Sequence, residues 1–161
     1  MAIDPDLPIS PNFTYGMLVR TDNRKFMEVN KIEGEQYLAN LTRVANEILE
    51  PINNILGPMF VTSCFRCDNL NKAIGGAPRS QHRFGEAADM VYLNRSGDVF
   101  LKQAFNTIVS SGINFGQLIY EFGWIHCSIT DDTLYPGRKG EKLLASRANG
   151  KTIYTVVSQP L

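Results

Sequence analysis

The spacing of apolar positions divides the chain into a helix-rich first part and a strand-rich second part. Between residues 35 and 56, apolar side chains recur at steps of three and four, which predicts an amphipathic helix. Pro51 removes one hydrogen bond within it and predicts a kink or a break. Shorter helices are predicted over 15–19, 69–74 and 99–109. The polar segment 22–29 is predicted to be a loop.

Short apolar runs that are rich in β-branched and aromatic residues predict the strands. These runs cover 59–63, 87–93, 117–121, 124–129, 143–146 and 152–158. The last two predict a hairpin about Ala148-Asn149-Gly150. Because most helices precede the strands, we expect an α+β fold with a small antiparallel sheet flanked by helices. The length predicts one domain over 1–161, with 1–12 as an extended lead-in.

Composition and charge narrow the class of protein. The chain is 43% hydrophobic and 20% charged with a formal net charge of zero, which is typical of a globular protein without a nucleic-acid partner. No run approaches the ~20 apolar residues that span a bilayer, so no membrane partner is expected. The first residues lack a basic region and an apolar stretch, so we expect synthesis in a cytoplasm without a secretory signal. We also expect a monomer.

The three cysteines include one Cys-x-x-Cys, formed by Cys64 and Cys67. This spacing is found in redox pairs and in halves of structural zinc sites. A second Cys-x-x-Cys is absent from the sequence, which favours two reduced thiols in a packed turn. Cys127 is then a small apolar filler on a strand.

The candidate chemistry centres on residues 80–89, Ser-Gln-His-Arg-Phe-Gly-Glu-Ala-Ala-Asp. Asp89 opens an apolar run, and a charge at the mouth of a buried strand is costly unless it is paired or binds a cation. His82 precedes it, and His126, the second of the two histidines, lies in a strand-like segment. Two histidines and one aspartate would hold zinc and leave its fourth position open for water, as in catalytic zinc sites.

These motifs resemble those of the zinc D-Ala-D-Ala carboxypeptidase and L-alanyl-D-glutamate endolysin family of metallopeptidases. The likeness rests on His-x-x-Gly-x-Ala-x-Asp, preceded two residues earlier by Ser80 and followed by a Trp-x-His strand. It extends upstream through 10–14, 61–66 and 70–76. The resemblance implies the same α+β architecture, a bound Zn²⁺ and hydrolysis of the stem peptides or cross-links of bacterial peptidoglycan.

The resemblance also implies roles for residues around the zinc ligands. Arg66 stands where the family carries a substrate-binding arginine, and its guanidinium can hold a carboxylate or an oxyanion with two parallel bonds. The alternative for Arg66 is an ordinary surface salt bridge. Ser80 and Gln81 are expected to position the loop or contact the substrate. Trp124 is expected either to line the cleft or to pack in the core.

The general base is the point at which the sequence departs from the family pattern. Relatives carry Asp or Glu three residues before the second histidine, where this chain has Gly123. Glu121 lies five residues before His126, on the same face of a regular strand but about 6.6 Å further along. A bend at the glycine could bring it back, so Glu121 is the predicted base.

Other carboxylates compete for this role. Glu86, inside the first motif, is the alternative base, and Asp131 and Asp132 are less favoured. Loss of the base would instead indicate a non-catalytic phage structural or wall-binding protein that keeps the fold. With a base present, we expect a zinc metallopeptidase of the endolysin or carboxypeptidase type, acting on the cell wall after release at lysis or within a virion. The sequence leaves open which bond it cuts.

Overall fold

The computed structural model of the chain describes residues 2–92, 98–131 and 134–161. Asp132, a less favoured candidate base, and Leu93, the last residue of a predicted strand, lie outside these ranges. The helices are α1 (Tyr15–Leu18), α2 (Met27–Gly34), α3 (Leu38–Val44), α4 (Glu50–Leu56), α5 (Asp68–Ala73) and α6 (Asp98–Ser110). The strands are β1 (Pro8–Ser10), β2 (Phe13–Thr14), β3 (Phe60–Ser63), β4 (Ala87–Val91), β5 (Gln117–Tyr120), β6 (Ile125–Ser128), β7 (Glu141–Ala148) and β8 (Lys151–Val156).

Helix α2 begins inside the segment predicted as a loop, so that prediction is wrong from Met27 onward. The reason is Asn30, a polar residue that is fully buried on the inner side of the helix. Its side-chain amide donates to the carbonyls of Val19 and Phe65 at 2.7 and 3.0 Å. Its oxygen accepts from the backbone N–H of Cys67 at 2.7 Å. An asparagine in a sequence is normally interpreted as an exposed residue, although this one is buried and hydrogen-bonded. The apolar pattern therefore does not reveal helix α2.

The long helix predicted over 35–56 forms as consecutive helical turns whose character changes before the proline. A 3₁₀ turn (Glu35–Tyr37) leads into α3, and a π-helical segment (Ala45–Leu49) joins α3 to α4. Pro51 lies in the first turn of α4. Because proline has no N–H to donate, the widened π turn before it accommodates the missing hydrogen bond. The predicted kink or break is therefore a local change from α-helix to π-helix just before the proline.

The α+β class is confirmed, but the prediction of a small antiparallel sheet is wrong. The main sheet has six strands in the order β3-β4-β6-β5-β7-β8, and β5 and β7 run parallel. Both edges of β6 are already occupied by β4 and β5. The chain after β6 therefore adds its next strand at the free edge of β5. β6 ends beside the start of β5, and β7 begins at this same end, so β7 runs parallel to β5.

The two faces of this sheet differ sharply in chemistry because successive side chains alternate across it. Ala88, Met90, Ile125, Cys127 and Leu118 point into the main apolar core, which the helices cover. The residues between them point to the other face, where an open cavity lies. In the part of the chain that the structure describes, no helix is long and apolar enough to cross a membrane.

The predicted C-terminal hairpin is present, with strands longer than expected. β7 and β8 pair antiparallel from Leu143–Val156 to Ala148–Lys151. Asn149 and Gly150, between them, both have positive φ angles, 50° and 73°. Such values belong to the turn type that suits a two-residue hairpin, and Asn-Gly is its preferred sequence.

The lead-in predicted over 1–12 is attached to the domain through Glu50 at the start of α4. β1 pairs with β2, and the buried Glu50 carboxylate accepts hydrogen bonds from Ser10 Oγ at 2.7 Å and from Asn12 N and Nδ2 at 2.7 and 2.8 Å. Burial disfavours the charge, but these hydrogen bonds outweigh burial and lower the pKa of Glu50 below 4.5. Its ionised form therefore stabilises the native state.

We expect Glu50→Gln to lower the free energy of unfolding by about 1.5–3 kcal/mol at neutral pH, because it removes charge-assisted hydrogen bonds in a buried setting. Since the folded pKa is depressed, this contribution is present above pH 4.5 and is lost as the pH falls below it. Urea unfolding across this pH range measures the effect. Glu47→Gln, which breaks an exposed ion pair with Arg43, is the control and should cost about 0.5 kcal/mol or less. Equal losses in both variants would contradict the assignment.

Candidate active site

Strand register brings two of the predicted ligands together. Asp89 of β4 is directly opposite His126 of β6, and His126 is directly opposite Ile119 of β5. Their sequence neighbours point into the core, so Asp89 and His126 point to the cavity face. Directly opposed residues lie about 5 Å apart at Cβ, close enough to share one ion.

The third predicted ligand, His82, comes from a 3₁₀ turn (Gln81–Phe84) that precedes β4. Ser80 caps this turn, since its Oγ accepts from the backbone N–H of His82 at 3.4 Å. Gly85 ends the turn with φ at 65°, and a Cβ there would lie 3.1 Å from Leu41. The motif glycine is therefore needed both for its backbone conformation and for the close approach of α3.

The three ligand atoms converge on one point. His82 Nε2 lies 3.2 Å from Asp89 Oδ1, His126 Nδ1 lies 3.0 Å from the same oxygen, and the two nitrogens are 3.2 Å apart. Ligands at 2.0–2.2 Å from a tetrahedral zinc would be separated by roughly 3.3–3.6 Å. The separations in the protein are only slightly shorter. The residues therefore fit a zinc ion in both donor type and spacing.

Hydrogen bonding and charge put His82 and Asp89 in the states that metal binding requires. His82 Nδ1 lies 2.7 Å from the carbonyl oxygen of Cys64, which can only accept, so Nδ1 carries the proton and Nε2 is free to ligate. Burial lowers the pKa of His82, which favours the neutral ring. Burial opposes ionisation of Asp89, but the two imidazoles outweigh it and hold the pKa of this carboxyl well below its usual range.

Arg66 is placed beside the ligands by the loop after β3. Its backbone N–H donates to the carbonyl of His82 at 2.9 Å, and its Nη2 lies 3.8 Å from Asp89 Oδ2. Its Nη1 donates to Asn71 Oδ1 at 3.4 Å. Nε is buried and has no hydrogen-bond partner among the described residues. Arg66 is thus a mostly buried cation in the cavity rather than an exposed surface ion pair.

Glu121 reaches the same face through the turn between β5 and β6. Phe122 and Gly123 form this turn, and the backbone N–H of Glu121 donates to the carbonyl of Trp124 at 3.0 Å. Because the chain reverses direction at this turn, Glu121 and His126 are not on one continuous strand. The separation of about 6.6 Å along a strand that the sequence predicted therefore does not apply. Glu121 directly follows the last residue of β5 and is diagonal to His126 on the cavity face. Burial raises the pKa of Glu121; the charge of His126 opposes this shift and that of Asp89 adds to it.

The competing carboxylate, Glu86, faces a different environment. It is buried, it is not among the residues that line the cavity, and it interacts with Asp131 and with Gln81 Nε2, the latter at 3.4 Å. Burial and the neighbouring charge of Asp131 raise the pKa of Glu86 to about 7. Asp131 itself accepts from the backbone N–H of Leu134 at 3.1 Å and does not line the cavity either. Glu121, by contrast, opens into the cavity.

The remaining predicted site residues, Ser80, Gln81 and Trp124, all line this cavity of about 750 Å³. Ser80 uses its oxygen to cap the turn that carries His82 and keeps its hydroxyl proton for another acceptor. Trp124 is partly exposed and lies edge-on to Phe122, with ring centroids 6.4 Å apart. It therefore forms part of the cleft wall and is not a core residue.

The opposite wall comes from a part of the chain to which the sequence analysis assigned no chemistry. It contains Tyr135, Arg138, Glu141, Arg147 and Tyr154. Glu141 and Arg147 share one face of β7, and Tyr154 of β8 lies on the same face because it is opposite Ala145. What the sequence does not show is that β7 lies beside β5, which is what turns these side chains towards the metal ligands.

The Cys-x-x-Cys pair lies away from the cavity lining, and both of its thiols are buried. Burial raises the pKa of Cys64, which keeps it a thiol and disfavours redox chemistry. Burial likewise raises the pKa of Cys127. These residues belong to the apolar core.

Comparison with known proteins places this site in a family context. Residues 11–128 match the model of a protein family described as Peptidase M15. The matched region contains the three candidate ligands, Arg66 and Glu121, and it ends before β7. A search of curated proteins found no match.

We expect the purified chain to bind one zinc ion, because three suitable donors are already gathered. Excess zinc should raise the free energy of unfolding by roughly 4 kcal/mol when its concentration is about 1,000 times the dissociation constant. Metal analysis and thermal unfolding with and without chelator measure this. A His82→Ala, His126→Ala double variant should lose the metal and the shift, whereas Cys64→Ala should keep both. Full zinc occupancy in the double histidine variant would contradict the site.

Proposed function

The chain belongs to the peptidase M15 family of zinc metallopeptidases, and we propose that it hydrolyses peptide bonds in the stem peptides or cross-links of bacterial peptidoglycan. The observation that carries the proposal is the position of Glu121. It lies in one cavity with the three candidate ligands, yet it is not one of them. A protein that had kept only the fold would have no need for a buried carboxylate there.

The candidate ligands, Glu121 and Arg66 each have a distinct task in the proposed hydrolysis. Zinc held by His82, Asp89 and His126 would supply Lewis-acid chemistry, which polarises a carbonyl and makes water more acidic. Glu121 accepts a proton from the attacking water and returns it to the leaving amine. Its raised pKa suits this exchange, because a carboxylate that is easier to protonate is a better acceptor.

Arg66 supplies the positive charge that the substrate needs. Its guanidinium is held by Asn71 and lies near Asp89, and Arg66 lines the cavity that a substrate would occupy. A carboxylate or a developing oxyanion matches this planar donor. The resemblance to enzymes that act on D-amino-acid peptides supports peptidoglycan as the substrate class. Peptidoglycan lies outside the cytoplasm, so the enzyme would act after export or release.

Digestion of purified peptidoglycan tests the function directly. Mass spectrometry of the soluble fragments should show new termini at one type of peptide bond, with glycan strands intact, and the fragments should disappear when zinc is chelated. The mass of the fragments identifies the bond and separates an endopeptidase from a carboxypeptidase. Absence of new peptide termini from several peptidoglycan types, with zinc bound, would contradict the proposal.

We expect Glu121→Gln to keep its zinc and its stability but to lower turnover by about 10²-fold or more, the usual scale for a lost general base. Glu86→Gln is the matched control, since it changes the competing carboxylate outside the cavity. It should leave turnover within a few-fold of the wild type. Steady-state hydrolysis of a released peptide fragment measures both. The opposite result, with activity lost in Glu86→Gln and retained in Glu121→Gln, would transfer the role to Glu86.

A further inference from the structure

One end of the cleft carries an arginine that is fixed in place from three sides. Arg138 Nε lies 3.2 Å from Glu141 Oε2, and its Nη1 lies 3.4 Å from Gln81 Oε1. Its guanidinium carbon lies 3.9 Å from the centroid of the Tyr135 ring, in cation–π contact. In the described part of the chain, Arg138 Nη2 has no hydrogen-bond partner. The result is a guanidinium on the cleft wall with part of its donor set unused.

The partners of Arg138 are themselves held. Glu141 Oε2 accepts from Gln117 Nε2 at 2.7 Å, and the Gln81 amide, which is buried, donates from its other end to Glu86 at 3.4 Å. A guanidinium held in this way loses little side-chain entropy when it binds an anion.

The charge at this end of the cleft is not balanced. Arg79 also lines it, with its guanidinium carbon 5.5 Å from the Tyr135 ring centroid and its Nη2 donating to the carbonyl of Leu134 at 3.2 Å. Arg79 has no carboxylate partner among the described residues. Two guanidinium groups therefore face one carboxylate, Glu141, which leaves an excess of one positive charge.

The distance from the metal ligands sets what this charge can reach. Glu141 is opposite Gln117, which is two residues before Ile119, the residue opposite His126. Two residues along a strand span about 6.6 Å, and Glu141 also lies two strands, roughly 9.5 Å, across the sheet from His126, so the two positions are about 11–12 Å apart. An extended peptide rises about 3.3 Å per residue, so a group near Arg138 belongs to a substrate residue about three positions from the scissile bond.

We propose that Arg138 forms a carboxylate-binding subsite that selects peptides with an anionic group about three residues from the bond that is cut. This subsite deepens the proposed function and rests on it. Arg138 lies beyond residues 11–128, which match the family, so the subsite depends on a part of this chain outside the matched region. The carboxylate belongs either to an acidic side chain or to the free C-terminus of the peptide.

Binding of matched peptides tests the subsite without requiring turnover. Trp124, the single tryptophan of the chain, lines the same cavity, so its fluorescence reports occupancy of the cleft. The probes are a synthetic stem-type tetrapeptide with all carboxylates free and two copies in which either the side-chain or the C-terminal carboxylate is a carboxamide. We expect the full-length wild type to bind the free acid about 10- to 100-fold more tightly than one of the amides, as for a hydrogen bond to a charged group. The amide that loses affinity identifies the source of the carboxylate.

Variants connect this preference to Arg138. Arg138→Gln should abolish the acid-over-amide ratio while changing affinity for the amide peptide less than about twofold. Arg138→Lys should retain part of the ratio, because lysine keeps the charge but lacks the planar fork. Arg24→Gln removes the same charge from an exposed turn and should retain the full ratio. Retention of the wild-type ratio in Arg138→Gln, or no acid preference in the wild type, would overturn the subsite.

The binding readout also separates this inference from the proposed function. Tight, Arg138-dependent binding of an acidic peptide that is never cleaved would support the subsite and contradict the peptidase. Cleavage of acid and amide peptides with equal affinity would contradict the subsite and leave the peptidase in place.

Discussion

The architecture of the cleft depends on one mostly buried carboxylate. Asp89 Oδ1 is within 3.2 Å of a nitrogen of each of two histidines, and its second oxygen faces Arg66. Bringing an ionised carboxylate and two imidazoles into a buried site is costly without a cation to share them. The sheet supplies this arrangement through a single register, Asp89 opposite His126, and the 3₁₀ turn adds His82. A slip of one residue in that register would turn these ligands into the core and break the site.

The cleft is assembled from two segments with different relations to the family. The matched region provides the candidate ligands, Arg66 and Glu121, and so the chemistry. The β7–β8 hairpin and the loop before it provide the facing wall, with Arg138 at one end and Tyr154 across from Glu121. Ala145 lies between these last two on the sheet face, and its small side chain leaves the space open. Under the proposed function, chemistry and selectivity lie on separate parts of the chain, which would let selectivity vary while the chemistry is retained.

The sequence predicts best where one residue type has few ways to be used. Because the chain has two histidines, a metal site that includes both of them and Asp89 is the simplest prediction. Asn149-Gly150 likewise predicts a two-residue hairpin turn, which the structure has. Prediction from the sequence fails where tertiary contacts override the local pattern of polar and apolar residues. Asn30 is polar yet buried, which hid helix α2. The parallel pairing of β7 with β5 depends on which sheet edge is free, which no local motif encodes, so the role of Arg138 on the cleft wall could not be seen.

The most direct test of this account is X-ray absorption at the zinc edge on the purified, full-length protein. A zinc ion held by His82, Asp89 and His126 should show nitrogen and oxygen neighbours at about 2.0–2.2 Å, supplied by two imidazoles and a carboxylate. This shell should be lost in a variant without His82 and His126. A shell dominated by sulfur at about 2.3 Å would place the metal on the cysteines and contradict the account.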